Sequence, residues 1–304
     1  MNKTQQFPED QFIKVNGLKI RYWLLGDSGP TVLMIHGIGS CCEYWSYNVR
    51  ELAKHYRVLV FDLPGFGQSD KPDDASYSLP YYTEFLKVLL DTFKIQTCHI
   101  LAHSMGGGLA MSFSVNYPER VDKLVLLDNV GFDSQVTIFF RFLNLPFIKH
   151  LLMRFSRKTF AKMVRSNVYD GRSFPDHMID VVYEYNKLPE TKRTMLRIIN
   201  SNSTILSMKH TVIKLIHDKI DAIRTKPTLV FWGKQDPLLA YKSHMQAAKK
   251  LLPNAQFIEY DPCGHIPQIE CHEQFNHDVL AFLSDETSPE ALEKKTIKTD
   301  NVTA

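Results

Sequence analysis

The run Cys98-His99-Ile100-Leu101-Ala102-His103-Ser104-Met105-Gly106-Gly107-Gly108 limits the fold more than any other stretch of the 304-residue chain. Cys98–Leu101 reads as a short buried strand, and Leu109-Ala110-Met111-Ser112-Phe113 as the start of a packed helix. A serine between them, with glycine two residues on, requires a very tight backbone reversal. The serine is then strained, and its hydroxyl is pushed out above the strand end. The helix N-terminus behind it offers free N–H groups and a partial positive charge, which suit a developing oxyanion. The pattern is G-x-S-x-G with Ala102 in the first place, where a small side chain matters more than glycine itself. Alone, the run also reads as an ordinary strand-to-helix turn that holds a serine. The remainder of the chain decides between the two.

Before and after this run, strand and helix patterns alternate. Gln11–Val15 and Leu18–Trp23 flank Asn16-Gly17, a strong hairpin signal. Thr31–Ile35 is wholly apolar, as a buried parallel strand is. A helix-like stretch over Tyr47–Ala53 leads to the strand Arg57–Phe61. The helix Tyr81–Phe93 and the strand Lys123–Asp128 follow. The alternation resumes with a strand over Pro227–Gly233, a helix over Tyr241–Leu251, a strand over Gln256–Tyr260 and a closing helix over Glu273–Leu283. Such alternation predicts an α/β protein whose mostly parallel sheet is covered by helices on both faces. Between residues 133 and 222 the apolar spacing is helical, as in Phe139, Phe140, Phe142 and Leu143. An interruption this long is no loop, so an inserted helical cap is expected. Residues 1–132 and 223–284 then form the core, and the polar tail 285–304 is expected to fray.

The net charge of +3 gives no case for nucleic acid. Five cysteines (Cys41, Cys42, Cys98, Cys263 and Cys271) form neither a disulfide framework nor a zinc pattern. Met1–Gln6 leads into acidic and proline positions, so no signal peptide is expected, and no stretch has the sustained apolar character of a membrane span. These features point to a reduced, cytoplasmic protein. The insert carries fifteen Lys and Arg against eight Asp and Glu. A basic, aromatic-rich insert suits transient contact with a lipid surface or anionic substrates; it equally suits a helical lid with a solvated outer face.

Acyl transfer by a serine needs a base for its proton, an acid to orient that base, and N–H donors for the oxyanion. Each has a candidate just past a predicted strand, the edge where parallel sheets build their sites. Ser104 follows Cys98–Leu101. Asp236, in Gly233-Lys234-Gln235-Asp236-Pro237, follows Leu229–Trp232, and His265, in Cys263-Gly264-His265-Ile266-Pro267, follows Gln256–Tyr260. The backbone N–H groups of Met105 and Ile38 are the candidate oxyanion donors. Asp236 also suits a helix cap, with Pro237 at the first helical position. His36 reads as a loop-fixing residue, and Asp62 as the anchor of the glycine-punctuated loop Asp62–Ser69. Gly37, His103, Trp45, Phe139, Phe140 and Ile266 are candidates to line a substrate pocket.

Taken together, His36-Gly37-Ile38-Gly39, Asp62-Leu63-Pro64-Gly65-Phe66-Gly67-Gln68-Ser69, the serine bend, Gly233–Asp236 and Gly264-His265 resemble the α/β-hydrolase superfamily, up to about Leu283. The resemblance implies an eight-stranded, mostly parallel sheet with the cap after the sixth strand. It also implies Ser104 as nucleophile, His265 as general base and Asp236 as its partner. Serine at this place differs from the aspartate of haloalkane dehalogenases and epoxide hydrolases. The layout is similar to carboxylesterases and lipases, and to the meta-cleavage-product hydrolases that cut C–C bonds. That last group typically carries asparagine before the nucleophile and tryptophan after the histidine, where this chain has His103 and Ile266. The expected activity is therefore hydrolysis of small-molecule carboxylic esters with an apolar acyl or aromatic part, through an acyl-enzyme and without metal or organic cofactor. A C–C hydrolase and a non-catalytic small-molecule receptor on the same scaffold are the alternatives.

Overall fold

The computed structural model describes residues 7–135, 155–204 and 207–284, with Ile138, Arg141 and Leu145. Eight strands pair into one sheet: β1 (Gln11–Val15), β2 (Leu18–Leu25), β3 (Thr31–Ile35), β4 (Arg57–Phe61), β5 (Cys98–His103), β6 (Val121–Leu127), β7 (Thr228–Gly233) and β8 (Gln256–Tyr260). Their order is β1-β2-β4-β3-β5-β6-β7-β8. The β1–β2 and β2–β4 pairs are antiparallel and the rest parallel. Every residue of β3, β5 and β7 is buried, which follows from central positions covered on both faces.

Helices α1 (Val49–Leu52), α2 (Leu79–Thr92) and α3 (Met105–Asn116) precede β6. Between β6 and β7 lie α4 (Arg157–Arg165), α5 (Asp176–Asn186), α6 (Pro189–Asn202) and α7 (His210–His217). Then come α8 (Tyr241–Leu251), α9 (Pro267–Glu270) and α10 (His272–Leu283). Alternate strand residues face opposite layers. Leu33, Ile35, Ile100, Leu126 and Val230 pack with Leu86 and Leu89 of α2, Met111 and Phe113 of α3, and Ala248 of α8. Val32, Met34, Leu101, Val125 and Phe231 pack with Leu52 of α1 and Phe275 and Val279 of α10. A third cluster joins Phe160 and Val164 of α4 and Ile179 and Val182 of α5 to Tyr44, Ile266 and Ile269. Helices α4 and α5 are thereby seated on loops at the C-terminal edge of the sheet.

Three expectations need correction or fall outside view. No single helix spans Tyr47–Ala53; a 3₁₀ turn at Cys42–Trp45 and the short α1 replace it. Between them, the Asn48 side-chain amide donates to Gln268 O and Asn276 Oδ1, both at 2.9 Å. Partners more than 200 residues away decide this segment, and local periodicity carries no trace of them. Phe139, Phe140 and the tail 285–304 lie outside the described residues. Among the described residues no helix is long and apolar enough to cross a membrane.

Two buried devices tie down the loops around the site. Arg21 donates to Asp10 at 2.7 Å, to both Glu43 oxygens at 2.7 and 3.1 Å, and to Asp62 at 3.2 Å. Asp62 also accepts from the N–H groups of Cys42 and Gln68, both at 2.8 Å. Its role is therefore wider than the local loop. The second device is the missing side chain of Gly106, where a Cβ would lie 2.5 Å from His36 O and 2.6 Å from Ile35 O. Helix α3 can rest on the end of β3 only because that atom is absent. Gly106→Ala is accordingly expected to cost about 1–3 kcal/mol through overpacking against rigid backbone. Differential scanning calorimetry should register this as a Tm drop of roughly 2–4 °C per kcal/mol.

Candidate active site

Ser104 occupies the bend between β5 and α3 with φ 55° and ψ −120°, a left-handed conformation rarely adopted by a residue with a side chain. Four backbone hydrogen bonds hold it there. Ser104 N–H donates to Leu127 O at 2.9 Å, and Ser104 O accepts from Gly107, Gly108 and Val130 at 3.0, 3.3 and 3.3 Å. The sharp turn predicted around this serine is present.

The loop after β8 brings His265 to this bend. Its Nε2 lies 3.0 Å from Ser104 Oγ, and its Nδ1 lies 2.8 Å from Asp236 Oδ2. With Nδ1 facing a carboxylate, the ring proton belongs on Nδ1 and the Nε2 lone pair faces the hydroxyl. The remaining Asp236 oxygen accepts from the N–H groups of Leu238 and Leu239 at 2.7 and 3.1 Å. These are turn amides. Helix α8 begins only at Tyr241, so Asp236 closes a turn rather than capping a helix. Three groups separated in sequence thus meet above one sheet edge, and the array can pass a proton from Ser104 to His265 while Asp236 holds the opposite N–H.

Ile38 and Met105 both line the cavity beside Ser104. Gly37 lies against the serine: a Cβ there would be 3.0 Å from Ser104 Cβ and 3.3 Å from His103 Nδ1, a tight fit that would make these neighbours shift by a few tenths of an ångström. His36 donates from Nδ1 to Gly37 O at 2.7 Å and accepts the Leu63 N–H on Nε2 at 2.9 Å. It ties two loops together, as its place in the sequence suggested. Burial holds its basicity below the ordinary histidine range.

The cavity is walled by Ile38, Leu79, Met105, Leu109, Val130, Ile198, Ile213, Ile216, Leu238 and Leu239, with the rings of Tyr77 and Tyr82. Apart from Ser104 and His265, the polar side chains of the wall donate to backbone. Tyr77 and Tyr82 hydroxyls donate to Pro72 O and Pro64 O at 2.8 and 2.9 Å, and Asn202 and Ser203 donate to carbonyls of their own helix at 2.8 and 2.7 Å. Among the described lining residues there is no Lys, Arg, Asp or Glu. Gly37, Trp45, His103 and Ile266 are not part of this wall. Trp45 is wholly buried on the α10 face of the sheet, and Ile266 packs with α4 and α5. His103 instead donates from Nε2 to His265 O at 2.7 Å, holding the histidine loop. Burial first, then the neighbouring His265 ring, press its basicity well below the usual value, so it stays neutral.

Segments between β6 and β7 brace the same loops. His265 N–H donates to Asn167 O at 2.7 Å, and Glu270 accepts from both Asp170 N–H and Gly264 N–H, at 3.0 and 2.8 Å. Asn186 at the end of α5 donates to Gly39 O at 2.8 Å, next to the Ile38 amide. These residues carry no sequence signal, because each acts through a contact distant in the chain. Asp128 was also missed, although its place at the end of β6 matches that of Ser104 and Asp236 after their strands. Its carboxyl is fully buried near Asp236, and burial, then the Asp236 charge, push its pKa well up. Asp128, Asp236 and His265 are the one cluster among the described residues whose atoms could surround a cation. The Asp236–His265 hydrogen bond already engages two of them.

Residues 30–270 match the family model described as alpha/beta hydrolase fold. The chain is 30% identical to a 2-hydroxy-6-oxononadienedioate/2-hydroxy-6-oxononatrienedioate hydrolase of Paraburkholderia phymatum, over 88% of this chain and 91% of that one. A bacterial membrane phospholipase A superposes with a TM-score of 0.78 at 26% identity, covering 92% of this chain and 87% of the other. A meta-cleavage product hydrolase from Pseudomonas fluorescens does so with 0.74 at 26% identity, covering 90% and 97%.

The His103 contact makes a direct prediction. His103→Phe keeps a ring of similar bulk but removes the donor to His265 O, a loss expected to cost about 1–3 kcal/mol. Chemical denaturation should show the lower stability, while His103→Gln, which can still donate an N–H, should recover part of it.

Proposed function

The chain belongs to the α/β-hydrolase fold family, and we propose that within it this protein is a serine hydrolase acting on carboxylic esters with an apolar acyl part. One observation carries the reading: the Ser104–His265–Asp236 chain of hydrogen bonds, at 3.0 and 2.8 Å, opens onto a cavity walled by apolar side chains. In this reading His265 takes the hydroxyl proton, and Ser104 Oγ attacks the ester carbonyl. The Ile38 and Met105 amides receive the oxyanion. His265 then protonates the leaving alcohol, and a water repeats the sequence on the acyl-enzyme. Asp236 stabilises the transient imidazolium. Residues 133–222 serve as the cap, and α6 and α7 supply the walls Ile198, Ile213 and Ile216 against which the acyl group lies.

The meta-cleavage alternative has a relative in its favour, but that relative's substrate is named a dioate. Two carboxylates entering a water-poor site need cationic or several N–H partners. The described wall offers no Lys or Arg, whereas an alkyl chain finds apolar contacts along its length. A phospholipase A among the structural neighbours fits the same preference for acyl esters.

Burying one methylene is worth about 0.8 kcal/mol, so kcat/KM should rise about fourfold per added carbon in a p-nitrophenyl ester series until the cavity is full. A flat series would remove the acyl-site assignment. A fluorophosphonate probe should label the wild-type protein and leave Ser104→Ala unlabelled. If Ser104→Ala turns over esters at the wild-type rate, the serine mechanism is wrong.

A further inference from the structure

Immediately after strand β6 stands a carboxyl group that the ester mechanism leaves unused. Asp128 is fully buried and has φ 39°, a left-handed conformation that only specific surroundings maintain. Its Oδ1 accepts the Gly233 N–H at 2.9 Å; no N–H donor among the described residues reaches the buried Oδ2, and the side-chain neighbour of this carboxyl is Asp236. One carboxyl oxygen of Asp128, one of Asp236 and a ring nitrogen of His265 all lie within 4.8 Å of one another. The thiols of Cys263 and Cys271 also face Asp128, and the His244 ring faces Asp236 and His265.

Two carboxylates this close, in a site closed to water, do not both carry charge. Asp236 receives three N–H donors, from Leu238, Leu239 and His265, whereas Asp128 receives one, from Gly233. The negative charge therefore rests on Asp236 and the proton on Asp128. We propose that Asp128 is a standby carboxylate for His265: neutral while Asp236 is ionised, and the bearer of the negative charge opposite the imidazole when Asp236 is neutralised. The pair holds one proton and one negative charge throughout, so no other group has to supply either. Asp128 touches no substrate and is a positioning residue. The proposal rests on the assignment of Ser104, Asp236 and His265 made above.

The test is a double-variant cycle of D128N, D236N and D128N/D236N, with kcat/KM for p-nitrophenyl butyrate measured across pH and Tm measured for each protein. D128N resembles the neutral acid and still accepts the Gly233 N–H, so it should stay within about threefold of wild type. D236N should lose about 10²–10⁴ in rate, as triad acids do, and the double variant at least about tenfold more. Part of the D236N activity should rise with pH as Asp128 ionises, and that part should be missing from D128N/D236N. A double variant no slower than D236N overturns the proposal, as does a D128N loss as large as that of D236N. A readout that needs no double variant is the infrared C=O stretch of a neutral carboxyl. It should appear in wild type and vanish in D128N, and in D236N above the pH at which that variant's activity rises; its absence from wild type also overturns the proposal. Failure here leaves the serine mechanism standing as long as Ser104→Ala is inactive, so the two readings fail separately.

Discussion

The left-handed backbone at Ser104 is the constraint on which the site depends. Such a conformation costs a side-chain-bearing residue about 1–3 kcal/mol, so it persists only where the surroundings over-determine it. Here they are Leu127 O on one side and the N–H groups of Gly107, Gly108 and Val130 on the other. The same bend needs Gly106 bare against the end of β3, and Gly37 packs closely against the serine. Sheet order makes this geometry available: β5 lies between β3 and β6, so the loops after all three converge on one point. The serine hydroxyl is presented by the scaffold rather than by its own flexibility.

Around that hydroxyl, charge is kept scarce. His36 and His103 are buried and held neutral, each with one ring nitrogen committed to a backbone carbonyl. That leaves His265 as the ring whose Nε2 faces the serine and whose Nδ1 faces a carboxylate. The cavity beyond is apolar, and Tyr77, Tyr82, Asn202 and Ser203 direct their side-chain donors to backbone carbonyls. In the proposed mechanism, an oxyanion developing in such surroundings would gain more from two fixed amides than it would in water. The segment between β6 and β7 belongs to this arrangement as well. Asn167 and Asp170 hold the histidine loop, and Asn186 holds the loop that carries Ile38.

Much of the fold was legible because local pattern and tertiary environment agree. The boundaries of β1, β3, β4, β8 and the helix Tyr241–Leu251 follow from apolar runs bounded by turn residues. Ser104, Asp236 and His265 stood out because each follows a strand at the same sheet edge. Where the reading failed, distance in sequence was the reason. Trp45 reads from sequence as a pocket-wall candidate; only the packing of α10 against the far face of the sheet places it in the core. His103 looked like a lining residue, but its partner is a carbonyl 162 positions away. Asp128 has the same place past its strand, but nothing local reveals that Asp236 lies beside it.

The central claim is that Ser104 attacks an ester carbonyl held by the Ile38 and Met105 amides, with the acyl chain in the apolar cavity. A crystal structure of the protein inactivated by an alkyl fluorophosphonate addresses all three parts together. The account predicts phosphorus bonded to Ser104 Oγ, one phosphonyl oxygen about 2.7–3.1 Å from both amide nitrogens, and the alkyl chain along Leu109, Val130, Ile198 and Ile213. A phosphonyl oxygen turned away from those amides, or an alkyl chain lying in solvent, would contradict it.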